Sequence, residues 1–387
     1  MRAASAGRRK ISERVTKAGV GFASARRART LVPLFVCLLA LFAFAPASFT
    51  QDHTRPRKAS RDDGAQTPTG QKSKPDAESV GDDEVVRINA SEVLVPATVR
   101  DSSGRLVADL TRKDFHIFED GREQPLSDLS LRQVPLDVAL LVDASSSVAE
   151  SFEDFRRAAE QFAARLSPED RFCLIKFDDR VELLLDWTQS RLQLRRALAR
   201  LSTGVFTRFN DALLLSAREQ FRAGERRRAL VVLSDGIDSN RGSATAEAAL
   251  RALLQSQVAV YVISNTEIER ARKQAELDSL LAGSDSTVRF NQLRIGDLRE
   301  GLRVLSESET NLAGLTQETG GRLYKPQSFD ALDRVYTEIA DELRHQYALY
   351  YTPTNPARDG RFRRVRVEVP GHDYQVTTRV GYYAPRH

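Results

Sequence analysis

Between Leu136 and Arg344 short apolar runs alternate with amphipathic stretches. LDVALLV (136–142) is too uniformly apolar for a half-exposed strand and predicts a buried one. RFCLIKF, VELLL, RRALVVLSDG and VAVYVIS predict further strands. Between the first two, residues 151–166 place Phe152, Phe155, Ala159, Phe162, Ala163 and Leu166 at helical spacing, and the pattern predicts other helices around 190–201, 210–223, 244–256 and 329–345. Strand and helix in alternation imply an α/β domain, a doubly wound and mostly parallel sheet covered by helices. Residues 264–310 break the rhythm with a charged helical segment, EIERARKQAELDSLLAG, and a strand-poor stretch, read as an insertion near the sheet edge with a solvated face.

On either side the period changes to two. VLVPATVRD, the turn SSG, RLVADL and FHIFEDGREQPL read as strands over 85–133, with Asp120-Gly121 as a hairpin turn. In FRRVRVEV, Val365, Val367 and Val369 share one face, within a C-terminal β region over 346–387. Neither region has enough strands to be stable alone. They are expected to pack together or against the central domain as a small β-sandwich.

Residues 51–84 contain almost no aliphatic residue and many Pro, Gly, Ser, Asp and Lys, so they read as a disordered linker. The first 50 residues join a basic segment to an apolar run from Leu31 to Ala45, followed by Ala45-Pro46-Ala47. A spanning helix needs about 20 apolar residues, whereas a signal-peptide core needs about 7–15 behind a positive flank. Residues 1–50 are therefore expected to be a signal peptide or signal anchor. The protein would be exported, periplasmic or extracellular, with membrane attachment only through residues 31–48.

Charge sharpens this picture. The formal net charge is +5, but residues 1–50 carry nine bases and one acid, which leaves −3 for residues 51–387. The basicity belongs to the leader, and the remainder has no basic stripe for nucleic acid. Of the two cysteines, Cys37 lies in the leader and Cys173 in a strand, where it reads as a small core hydrophobe.

The chemistry gathers at strand ends. In an open parallel sheet, ligands sit beyond the carboxyl ends of the strands. Asp143 follows ALLV there, and Asp235 follows LVVLS. In an extended loop Asp143, Ser145 and Ser147 would face one way. Charged and neutral oxygens together suit a hard divalent cation such as Mg²⁺. A simpler reading remains at each position: Ser147 or Ser151 as a helix N-cap, Asp235 opening a turn, Thr207 and Asp211 starting a helix.

Taken together, D-x-S-x-S at Asp143, Ser145 and Ser147, then Thr207 in GVFTRFNDAL, then Asp235 in LSDG, resemble the metal-ion-dependent adhesion site of the von Willebrand factor A-type family. The resemblance covers about 136–344, within a domain drawn at 134–345. The flanking segments also look like those of a secreted bacterial subgroup of that family. What the resemblance implies is a bound Mg²⁺, or Mn²⁺ or Ca²⁺. Ser145 and Ser147 would bind it directly, Thr207 directly or through water, and Asp143 and Asp235 largely through water. A protein ligand would then present an Asp or Glu to the metal, with Arg208, Phe209 and Asp238 on the partner-binding rim.

Enzymatic readings have less support. No G-x-S-x-G surrounds Ser145, and no histidine lies in the strand-end loops. Neither phosphate-binding glycine motif appears, and no Cys/His cluster invites zinc. The alternatives to an adhesive module are a scaffold domain with a filled, non-adhesive metal site and, less well supported, a metal-assisted hydrolase.

Overall fold

The computed structural model describes residues 92–130, 134–145, 152–221 and 226–386. The leader, the linker and Ser147 lie outside the described residues.

The flanking β regions come first in the chain. Strand β1 (Val93–Arg100) buries Val93, Val95, Ala97 and Val99. Strands β2 (His116–Glu119) and β3 (Arg122–Gln124) form a hairpin about Asp120 and Gly121. Both turn residues have positive φ, 48° and 82°, as a two-residue turn matched to strand twist requires. Strand β4 (Leu126–Ser130) follows. RLVADL does not form the expected strand: only Leu106 bridges back, to Arg100. The Tyr347 hydroxyl accepts from Leu110 N–H and donates to the Val107 carbonyl, both at 3.0 Å, satisfying backbone groups that a neighbouring strand would otherwise hold.

The α/β core comprises β5 (Leu136–Asp143), α1 (Phe152–Arg165), β6 (Arg171–Phe177), β7 (Val181–Thr188), α2 (Arg191–Leu198), α3 (Phe209–Leu215) with a π-helical turn after it, β8 (Arg227–Leu233), α4 (Ala246–Gln255) and β9 (Ala259–Ile263). Three helices succeed β9, namely α5 (Thr266–Leu281), α6 (Asp285–Phe290) and α7 (Gln292–Thr319), before β10 (Leu323–Tyr324) and α8 (Leu332–Arg344). The sheet order is β10-β9-β8-β5-β6-β7, parallel except for the β6–β7 pair. The fold class read from the sequence is therefore the one observed.

Strand β5 is buried along its whole length because it faces two cores. Val138, Leu140 and Val142 pack with α1, α2 and α8, while Ala139 and Leu141 pack with α3, α4 and Leu312 of α7. Each side chain from Val138 to Val142 has a layer to fill, which explains the unbroken apolar run there. Cys173 of β6 is a buried free thiol in the second core, and burial pushes its pKa up.

The interruption in the strand–helix rhythm is helical throughout and runs to Thr319, beyond the expected end at 310. Leu305, Leu312, Thr316 and Thr319 give α7 a buried stripe, and Gly320, at φ 78°, ends it. Leu277 of α5 packs with Ile295 and Leu298 of α7, joining the two as a helical pair.

The chain closes with β11 (Tyr347–Tyr351), β12 (Phe362–Glu368), β13 (Gln375–Thr378) and β14 (Gly381–Tyr383). These strands combine with the first four into two antiparallel sheets, β13-β1-β11-β4 and β14-β12-β2-β3, around a shared apolar core. The described segments before and after the α/β core thus build one small sandwich. Buried Glu342 of α8 ties it to the sheet domain, accepting from Arg100 at 2.5 Å and from Tyr324 at 3.2 Å.

Candidate metal centre

Asp143 ends β5, the central strand, and is 0% exposed. Its Oδ1 accepts the Ser145 N–H at 2.9 Å, and its Oδ2 accepts the Ser234 hydroxyl at 2.8 Å. The second bond reaches across to the end of β8. It sets the next residue, Asp235, beside the Asp143 loop.

The Gly204–Thr207 loop is brought in by backbone pairing. Ser145 forms a parallel bridge with Gly204, whose N–H donates to the Ala144 carbonyl at 2.9 Å. The approach is close, since a Cβ at Gly204 would lie 2.6 Å from the Asp178 side chain. Asp179 then receives the Phe206 N–H at 2.9 Å. Thr207, which is buried, donates its N–H to Ser239 Oγ at 3.0 Å and accepts the Ser239 N–H at 2.9 Å, joining this loop to the one after Asp235. Three loops from three parts of the chain are therefore stitched together. Of the five residues read as a metal site, Asp143, Ser145, Thr207 and Asp235 lie in those loops; Ser147 lies outside the described residues.

Electrostatics marks the place as short of positive charge. Burial raises the pKa of Asp143 despite its hydrogen bonds. Asp235 is pushed up to about 7, first by burial and then by the charge of Asp143. Among the described residues no basic side chain forms an ion pair with either. Asp178, a third acid nearby, is instead matched by Lys176 at 2.7 Å. Two adjoining carboxylates, Asp143 buried and Asp235 half-buried, with no ion-paired cation among the described residues and set among hydroxyls, form a donor set that fits a hard divalent cation. Among the described residues no group of three or more His, Cys, Asp or Glu is poised to hold a metal, so hydroxyls must complete any such set.

The expected rim residues divide. Asp238 braces the loop, accepting from Asn210 N–H at 2.8 Å and Asn240 N–H at 2.7 Å. Arg208 is half-buried and lies 3.8 Å from Asp211. Phe209 belongs to the core beneath the rim rather than to the rim itself: it is 5% exposed and packs against Phe177. As the first residue of α3 it must turn its large apolar ring inward to bury it.

Several supporting residues escaped the sequence reading. Ser234 stands one position before a recognised acid, and that adjacency was the available signal. Asp211 accepts from Ser243 and Ala244 N–H groups, and Ser308 of α7 donates to the Asp235 carbonyl, both across long sequence separations. Gly236, at φ 72°, fits tightly under α7, because a Cβ there would meet the Leu312 side chain at 2.6 Å.

Residues 137–300 match the family model of the von Willebrand factor type A domain. No curated protein matches the chain. Among solved structures, proximal thread matrix protein 1 (PTMP1) from the mussel byssus is 14% identical over 58% of this chain and 51% of that one, with a TM-score of 0.41. This chain therefore spans about half the length of that protein. BatB from Bacteroides thetaiotaomicron is 19% identical over 54% of this chain and 99% of that one, with a TM-score of 0.38. The vWF domain of the type V pili tip protein Mfa5 from Porphyromonas gingivalis is 11% identical over 55% and 96%, with a TM-score of 0.36. Residues 137–300 of this chain are a von Willebrand factor type A domain.

Proposed function

We propose that this protein is an exported binding module, not an enzyme, that captures an Asp or Glu of a partner protein through a divalent cation. The cation would be held by Asp143, Ser145, Ser147, Thr207 and Asp235. The observation that carries this reading is the buried Asp143 beside Asp235, two acids that no basic side chain pairs with directly among the described residues. Mg²⁺, or Mn²⁺ or Ca²⁺ in its place, supplies an electrophilic bridge to the partner's carboxylate.

The chain's own groups do the remainder. Ser145 N–H and the Ser234 hydroxyl fix the rotamer of Asp143, so its charge is aimed before any cation arrives. Thr207 is held by Ser239, and the Asp235 backbone is held by Ser308. With hydroxyls forming much of the donor set, a bound cation retains charge to offer a visiting acid.

Export rests on the leader, and its test is protease accessibility of the tagged chain in intact cells, with resistance to added protease contradicting it. Among the described residues no helix is long and apolar enough to cross a membrane. For the binding function, the chain is immobilised and challenged with extracellular protein extract in Mg²⁺ and in EDTA, beside the Asp143→Asn variant. Retention that needs Mg²⁺ and is lost in the variant is expected. Equal retention in all three arms contradicts the reading and favours a scaffold.

A further inference from the structure

A cavity of about 590 Å³ opens beside the candidate metal loop, between α7, α4 and the start of α3. Gly236 and Asp238, one and three positions after Asp235, form one wall. The half-buried apolar surfaces of Ile237, Leu250, Val304 and Leu315 line it. Its charged lining is acidic: Asp238, Glu247, Glu307 and Glu318 contribute carboxylates, and no Lys, Arg or His lines it. Glu307 is matched by Arg303, but among the described residues no ion pair engages Asp238, Glu247 or Glu318.

We infer that this cleft takes a basic and an apolar side chain of the same partner segment whose acid meets the cation, which makes α7 a wall of the binding site. The inference rests on the cation-bridged function proposed above. Charge complementarity selects the base, since a cationic head entering the cleft meets the carboxylates of Asp238, Glu247 and Glu318, which have no ion-pair partner among the described residues. The apolar lining selects its neighbour. Spacing follows from the backbone: Asp235 to Asp238 spans at most about 10 Å, so the partner's base and apolar residue lie within about three residues of its acid.

Gly314 offers a clean probe. It lies in α7 and lines the cleft, and a Cβ placed there meets nothing within 4 Å. Gly314→Leu would fill the cleft while improving helix propensity. Glu318→Lys would reverse charge at the C-terminal end of α7, where a cation suits the helix dipole.

The test measures binding of short synthetic peptides carrying one Glu. One set has a Gly/Ser background; the other adds Arg and Leu within three residues of the Glu. Wild type in Mg²⁺ is expected to prefer the second set by about tenfold, or about 1.4 kcal/mol. Both variants, with unchanged circular dichroism and melting, are expected to lose that preference yet still bind the plain Glu peptides. Mg²⁺-dependent binding without the preference, or with the preference intact in both variants, overturns the cleft and leaves the metal reading standing. A preference that persists undiminished in EDTA and vanishes in the variants supports the cleft and contradicts the metal reading. No binding of either set overturns both.

Discussion

Asp143 and Asp235 carry the site's charge, and each answers differently to substitution. Asn in place of Asp143 keeps an acceptor for the Ser145 N–H or the Ser234 hydroxyl and removes a buried charge beside Asp235. In EDTA the Asp143→Asn variant is therefore expected to melt within about 1 kcal/mol of wild type, or above it. Wild type should gain about 2.7 kcal/mol when Mg²⁺ stands at a hundred times its dissociation constant, and the variant should gain none. Thermal melts with and without Mg²⁺ decide this; equal gains would remove Asp143 from the site. These two acids were legible in the sequence because each follows an apolar run whose end the period defines. Asp179, Asp211 and Ser308 were not, because what gives each its role is a partner tens of residues away, Phe206, Ser243 and Asp235 in turn.

At the scale of elements, α7 is the part whose role the sequence concealed. Its charged surface over 264–310 read as a solvated insertion, and the mean character of that segment hid the buried Leu305; beyond its expected end Leu312 and Thr316 are buried too, Leu312 in the core against the sheet. Its contact with the metal loop makes two predictions. Leu312→Ala removes a side chain that is 1% exposed and is expected to cost about 2–5 kcal/mol in chemical denaturation. Ser308→Ala should cost about 1 kcal/mol and weaken cation affinity while leaving secondary structure intact; unchanged affinity would uncouple the helix from the site.

Helix α7 is also held by Glu309, which accepts from Lys325 and, at 2.7 Å, from Arg270 of α5. Lys325, then Arg270, holds the Glu309 pKa below its ordinary 4.5. A depressed acid contributes stability that is full above its unfolded pKa and lost as pH falls through the folded value. Wild type should therefore out-melt Glu309→Gln at neutral pH, and the difference should shrink as pH is lowered past 4.5. A gap that widens in acid would contradict the ion-pair account.

At the scale of the whole molecule, the segments flanking the α/β domain, 93–130 and 347–383, join into one sandwich. The alternation in β1 and β12 announced half-buried strands, and Asp120-Gly121 announced its turn. The pairing of β1 with β11 and β13 was beyond reach, because period-two patterns fix which face is buried and not which strand lies alongside. Tyr347 shows the same limit: its hydroxyl replaces the strand that RLVADL was expected to form. Removing residues 346–387 takes away β11 to β14 and opens the core beneath Val95 and Ile117, so rapid proteolysis of residues 92–130 is expected in the truncated chain. Survival of that segment would mean the N-terminal strands stand alone.

The site itself depends on β5, β8 and the loop before α3 meeting at the carboxyl ends of the central strands, and its central claim is that they meet around a cation. Calorimetric titration of residues 52–387 with Mg²⁺, and with Mn²⁺ in parallel, tests this most directly. The account predicts a single saturable binding event in wild type that disappears in Asp143→Asn. No saturable binding of either ion, or identical binding in the variant, would contradict it.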